Sequence, residues 1–294
     1  MSGVRQRWLG PVMFLPAVLY VVALVGVPFV LAFFYSVGDV KVGSVGYHFV
    51  GFRNFTSVLQ NPTFLRALRN SFVFTVASQI LVLVGANLLA LVLKNAFPGR
   101  RFARFLILLP WVAPVSIGSI GWKWILDSLY SVINWVLVRL HLVKEFSAPM
   151  WLGEPKLAMM SVILVHTWHM LPFATVIILA GWTAIPKDIP EAAAVDGAGF
   201  FRRMFQIELP MMLPIINVAV LFGVIFTFTD MTVIYILTRG GPYDMTQVIP
   251  SEAFFTGVLG SDLAEGATIS IFLVPLLVVA AYFMLRTAHR AEMT

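Results

Sequence analysis

Cysteine is missing from all 294 residues, so disulfide frameworks, thiol chemistry and cysteine-built metal centres are excluded. Charge is scarce too. Asp, Glu, Lys and Arg make up 12% of the chain, against about a quarter in soluble domains. No stretch reads G-x-x-x-x-G-K-[ST], so the chain has no phosphate loop of its own for a nucleotide. There is no internal repeat or low-complexity tract. No Ser/His/Asp arrangement or metal-ligand set lies at matched depths, so neither catalytic nor metal residues are assigned, and an intramembrane enzyme ranks last among the readings. The inverted repeats and paired broken helices of many stand-alone carriers are also not visible. A secondary transporter or channel stays as the alternative reading. What the chain has in quantity is apolar surface: 60% hydrophobic residues and a mean hydropathy of +0.90. The net charge of +6 comes from basic residues scattered between apolar runs, which fits membrane topology and not nucleic acid.

A spanning helix needs about 20 apolar residues. Six runs qualify, at about 11–35, 70–93, 104–126, 157–181, 213–237 and 266–286. The expected fold is an all-α integral membrane domain of six transmembrane helices over residues 1–294, with one long polar loop at 182–212. The first run far exceeds the roughly 7–15 residues of a signal-peptide core, so it is expected to be an uncleaved span. An even number of spans places both termini on one side. Eleven Lys and Arg residues fall on that side and eight on the other, which points to cytoplasmic termini. The dense basic stretch of Lys94, Arg100, Arg101 and Arg104 adds to this. On the opposite face, Phe64, Leu65, Leu68 and Phe72 recur at near-helical spacing, which predicts a helix lying on the outer surface.

The loop at 182–212 has parts of its own. Asp188-Ile189-Pro190-Glu191 has the form of a capping box. Ala192, Ala193 and Ala194 favour helix and leave a face without bulk. Gly197 is placed to end that helix. A second helix is expected from about Gly199, with Phe200, Phe201, Met204, Phe205 and Ile207 on one arc and Glu208 inside it. Pro210 is expected to stop it.

The string Glu191-Ala192-Ala193, then Asp196-Gly197-Ala198, then Ile207-x-Leu209-Pro210, resembles the EAA loop of bacterial ATP-binding-cassette importer permeases. Further matches are similar to the carbohydrate-uptake branch, of the maltose/glycerophosphate type. They are Gly51-Phe52-x-Asn54-Phe55, Ala67-x-x-Asn70-Ser71, Leu109-Pro110-Trp111, Pro114, Trp122-Lys123-Trp124 and Ile133-Asn134. Leu237-Thr238-x-Gly240-Gly241-Pro242 is similar to the first-subunit type. Ser131 and Arg239 stand where glycine is common in that family. The resemblance implies a bacterial inner-membrane permease for a sugar, oligosaccharide or polyol derivative. It also implies a second homologous permease, two ATPase subunits that carry ATP and Mg, and an extracytoplasmic solute-binding protein. Glu191, Ala192, Ala193, Asp196, Gly197, Ala198, Phe201, Phe205, Ile207, Leu209 and Pro210 would dock on the ATPase.

Polar groups at depth are functional candidates in their own right. Asp230 and Thr227 lie in the fifth span; His166, Trp168 and His169 lie in the fourth. Asp230 is placed either to accept hydrogen bonds from solute hydroxyls or to pair with Lys123 on the third span. Trp168 is placed to stack on a sugar ring, or the histidines to bridge helices. Both readings stay open at this level.

Overall fold

The computed structural model describes residues 13–44, 46–128 and 130–292. Residues 11 and 12 of the expected first span, with Arg5 and Arg7, lie outside them. The helices in chain order are α1 (Met13–Ser36), α2 (Arg53–Gln60), α3 (Pro62–Lys94), α4 (Arg100–Val112), α5 (Val115–Ile125), α6 (Val132–Arg139) and α7 (Pro155–Ala184). They continue with α8 (Asp188–Val195), α9 (Phe200–Met211), α10 (Leu213–Thr229), α11 (Thr232–Leu237), α12 (Ile249–Phe254), α13 (Leu263–Ile271) and α14 (Leu273–Glu292). A short antiparallel pair, β1 (Gly38–Asp39) and β2 (His48–Phe49), follows α1.

Four helical segments are long and apolar enough to cross a membrane: 13–36, 62–94, 155–184 and 263–283. Two bent pairs bring the number to six if each counts as one span: α4 with α5, at 95°, and α9 with α10, at 70°. The chain is a multi-pass, all-α membrane protein, and several boundaries differ from those expected. The third span is not one rod. Ala113 is extended before Pro114 (φ −69, ψ 140), because the proline ring disfavours helix at the preceding residue, and the chain turns there. The fifth is interrupted at Asp230 (φ −80, ψ 126) before α11 resumes. The outer surface helix expected around Phe64 and Phe72 is instead the first three turns of α3, since nothing between Pro62 and Lys94 breaks the helix. Pro62 opens it at a position where no N–H is needed.

One compact unit holds the described residues up to Phe64 together with Glu252–Phe272. Here α13 packs along the C-terminal half of α1. The proline at position 28 follows a wider turn at Val22–Gly26, which absorbs its missing donor. Asn54 Nδ2 donates to the carbonyls of Ser36 (3.0 Å) and Gly38 (2.7 Å), tying α2 to the end of α1.

The second unit holds Leu65–Ser251 and the residues from Leu273 onward. One buried apolar cluster gathers Phe74, Val162, Val165, Val233 and Ile234; another gathers Val82, Ala86, Met170, Ile178, Trp182 and Met212. Residues from two of the sequence motifs meet here. Asn70 Nδ2 donates to the carbonyls of Met245 and Gln247 (3.0 Å each), and Ser71 Oγ accepts from the Ile249 N–H (2.9 Å). They pin the turn that follows Gly240-Gly241-Pro242. The two departures also find explanations. Ser131 caps α6, accepting from the Asn134 N–H at 3.2 Å. Arg239 takes φ +51, the left-handed region that glycine occupies at little cost.

Candidate functional site

Two places collect the candidate residues: the loop between α7 and α10, and a polar cluster inside the helices.

In the loop, α8 starts one residue earlier than a capping box would allow. Lys187 is already helical (φ −66, ψ −28), so Asp188 sits in the first turn and makes no cap bond. It still places negative charge at the positive end of the helix. At the other end, the Ala198 N–H reaches the Ala193 carbonyl (2.9 Å) and the Gly197 N–H reaches that of Ala194 (3.1 Å), with Gly197 at φ +79. This is the Schellman arrangement, and it makes a firm stop. Ala193 is buried, whereas Glu191, Ala192, Asp196 and Gly197 face outward and Ala198 is half-buried.

The expected single apolar arc of α9 is divided. A wider turn over Met204–Glu208 shifts the phase. Phe201 (71% exposed), Phe205 (59%) and Phe200 project outward. Met204 and Leu209 pack inward on the cluster around Trp182, and Ile207 is half-buried. The same wide turn lets the helix pass Pro210, which is exposed; the break comes at Met212 instead. Pro214 then sits in the first turn of α10.

Glu208, the acid on the expected apolar arc, is only 3% exposed. Its Oε1 lies 3.6 Å from Arg203 Nε and 4.0 Å from Lys94 Nζ, and the Lys94 ammonium stands 4.0 Å over the Trp182 ring. The carboxylate therefore ties the loop to α3 and α7. Replacing Glu208 with alanine leaves two half-buried cations facing each other. We expect the loop to loosen and trypsin to cut at Arg202 and Arg203 several-fold faster in the purified protein. An unchanged cleavage rate would remove Glu208 from this role.

The second place centres on His166, which is buried on α7. Its Nδ1 lies 3.1 Å from Asp230 Oδ2 and its Nε2 lies 2.9 Å from Thr227 Oγ1. A carboxylate oxygen accepts, so Nδ1–H donates. Thr227 also donates to the Gly223 carbonyl (2.7 Å) and accepts from Gln79 Nε2 (3.1 Å). Asp230 uses its other oxygen, Oδ1, to accept from the Thr232 N–H (2.7 Å), which starts α11 after the break. The partner of Asp230 is thus His166 rather than Lys123. Gly223 makes room for the cluster: a Cβ there would run into the Gln79 side-chain amide.

His169 and Trp168 lie apart from this cluster. His169 Nδ1–H donates to the Pro110 carbonyl (2.8 Å), a group left available because α4 ends at Val112 and Pro114, four residues on, has no N–H, and the ring stacks on Trp111. Trp168 meets Trp122 edge-on at 5.6 Å, over Gly118. Gln79 is the member that the sequence reading missed. Its signal was a long amide in the apolar 70–93 run. Its Oε1, with Ser78 Oγ beside it in sequence and Thr75 Oγ1 one turn away, is buried without a hydrogen-bond partner. Such orphaned acceptors and hydroxyls are rare in native interiors.

The family model described as "Binding-protein-dependent transport system inner membrane component" matches residues 83–291. The trehalose/maltose transport system permease protein MalF of Thermococcus litoralis is 33% identical over 91% of this chain and 89% of its own. The diacetylchitobiose uptake system permease protein DasB of Streptomyces coelicolor is 29% identical over 95% and 86%. In fold, the chain is similar to one from a bacterial alginate transporter solved in complex with an alginate pentasaccharide-bound periplasmic protein. The TM-score is 0.81 at 21% identity, covering 98% of this chain and 96% of that one.

Proposed function

Because this chain belongs to the family of binding-protein-dependent transport system inner membrane components, we propose that it forms half of a solute pathway opened from below by a separate ATPase. The observation that carries this reading is the loop: a stopped α8, an outward phenylalanine knob and an ion-paired base. Those parts make a stiff projection that something else must cover. Glu191, Ala192, Asp196, Gly197 and Ala198, with Phe201 and Phe205, form the docking face. Ile207 and Leu209 hold it to the helices, and Pro210 lies at its rim. The termini and the loop lie on the cytoplasmic side, where ATP is available to the partner that binds it with Mg. A second, homologous permease completes the pathway. A solute-binding protein delivers the cargo from outside.

The cargo is a sugar, oligosaccharide or polyol derivative. Support comes from the relatives named above and from the polar cluster, where Gln79, Thr227, His166 and Asp230 offer donors and acceptors to hydroxyl groups. Trp168 and His169, further along α7 and turned towards Trp122 on α5 and Trp111 on α4, are further candidate contacts along the pathway. Co-purification from the native membrane tests the assembly. A tagged chain is expected to bring down one homologous permease and two copies of an ATPase in fixed proportion. Recovery of this chain alone, active in vesicles, would instead favour a stand-alone carrier.

A further inference from the structure

The connection between α3 and α4 carries a feature that the transport reading does not use. A cavity of about 600 Å³ opens there, lined by Phe97, Gly99, Arg100, Arg101, Phe102 and Arg104. Arg100, Arg101 and Arg104 have no acidic partner within 4 Å among the described residues, although the nearby Lys94 and Arg203 share Glu208. The Nε atoms of Arg100 and Arg104 are shut off from solvent and lack hydrogen-bond partners. Arg104 spends one Nη2 bond on the Leu93 carbonyl (3.2 Å), which holds its fork at the cavity. Gly99, at φ +82, opens the 13-residue α4 here without a side-chain cap. The Arg100 N–H donates to the Phe97 carbonyl (3.2 Å) and the Ala103 N–H to that of Gly99 (2.9 Å), which leaves the first-turn N–H groups of Arg101 and Phe102 open. Three arginines without an acidic partner lining one cavity, beside a helix N-terminus with two open N–H groups, are the chemistry that recognises a phosphoryl group.

An apolar stripe continues from this basic floor. Phe102, Phe105, Leu109 and Val112 recur at helical spacing on α4, all exposed, on the side turned from α7. Ten residues at about 1.5 Å each span about 15 Å, which matches one leaflet of a hydrocarbon core about 30 Å thick. The arginines take a phosphate and the stripe takes an acyl chain. We propose that this corner is a binding site for the phosphodiester headgroup of an anionic membrane lipid, with its chain laid along α4.

The test uses the full chain, purified in detergent and stripped of lipid. Short-chain phosphatidylglycerol, short-chain phosphatidylcholine and inorganic phosphate are added separately, and bound lipid is counted by native mass spectrometry. We expect one saturable phosphatidylglycerol per chain, no saturable phosphatidylcholine, and no displacement by millimolar phosphate. At about fivefold per arginine near a membrane surface, the R100Q/R101Q double variant should bind on the order of 20-fold more weakly. The R100K/R101K variant, which keeps the charge, should lose less. If the double variant does not purify, R101Q alone carries the comparison, because Arg101 is exposed and makes no internal bond.

Equal binding of phosphatidylcholine, or an unchanged affinity in the glutamine variants, would overturn the site. Displacement by phosphate would reassign it to a soluble anion. Loss of the lipid when the second permease is added would assign the stripe to that subunit. None of these readouts depends on whether an ATPase co-purifies.

Discussion

Replacing Gly197 with tryptophan is expected to abolish uptake while the chain still inserts and folds. The residue sits at φ +79, and nothing lies within 4 Å of where a side chain would begin. The local cost is then backbone strain of about 1–2 kcal/mol, too little to unfold a helical bundle. The indole, however, points into the space where the ATPase is proposed to seat. Uptake and solute-stimulated ATP hydrolysis should fall at least about tenfold, because wedging a bulky side chain into a packed contact costs about 1–3 kcal/mol. Asparagine at the same position separates the two effects, since it tolerates the left-handed conformation and stays small. Near-normal hydrolysis in the tryptophan variant would mean that no partner covers this face.

Removing the His166 imidazole should produce the largest loss of stability. Asp230 then keeps only its bonding to Thr232, and Thr227 loses a partner. Breaking a fully buried pair from one side costs about 3–5 kcal/mol. The Asp230 side chain is 18% exposed, which lets solvent soften the penalty, so about 2 kcal/mol is the better figure. The H166A chain should melt several degrees lower in detergent. The double change H166A/D230N should cost less than the sum of the two single changes, because the second removes the charge stranded by the first. Strict additivity would show that the pair does not interact. Transport distinguishes the solute role from the structural one: a D230N chain that melts normally but carries solute poorly is a chain whose carboxylate touches cargo.

Much of this architecture was visible in residue patterns, and the reasons for the exceptions are physical. The run that became α7 was expected at 157–181 and forms Pro155–Ala184, because an unbroken apolar stretch leaves a helix nothing to do but continue. Prolines gave an ambiguous signal. Pro172 lies inside α7 and leaves it whole, while Pro114 separates two helices at 95°. The difference lies in the neighbours, which a local pattern does not report. The pairing of Asp230 followed the same logic. Depth along a span pointed to Lys123 as the partner and left His166 out of the choice, since sequence position sets only height in the bundle. Rotation about each axis decides who meets whom, and that comes only from packing. Glu208 looked misplaced on an apolar arc because its two cations come from Arg203 on its own helix and Lys94 more than a hundred residues away. Gln79 was overlooked for the opposite reason: one amide hardly disturbs an apolar average.

The ion-paired base of the loop has a mechanical consequence. Glu208 fastens the entrance of α10 to the Lys94 end of α3, and Gln79 fastens α3 to Thr227 near the far end of α10. Fifteen residues of α3 separate these rivets, about 22 Å of helix. Two rods pinned at two heights form a closed frame that resists sliding and twisting against each other. If an ATPase docks on the phenylalanine knob as proposed, its shove reaches both rods together, as a swing of the whole frame.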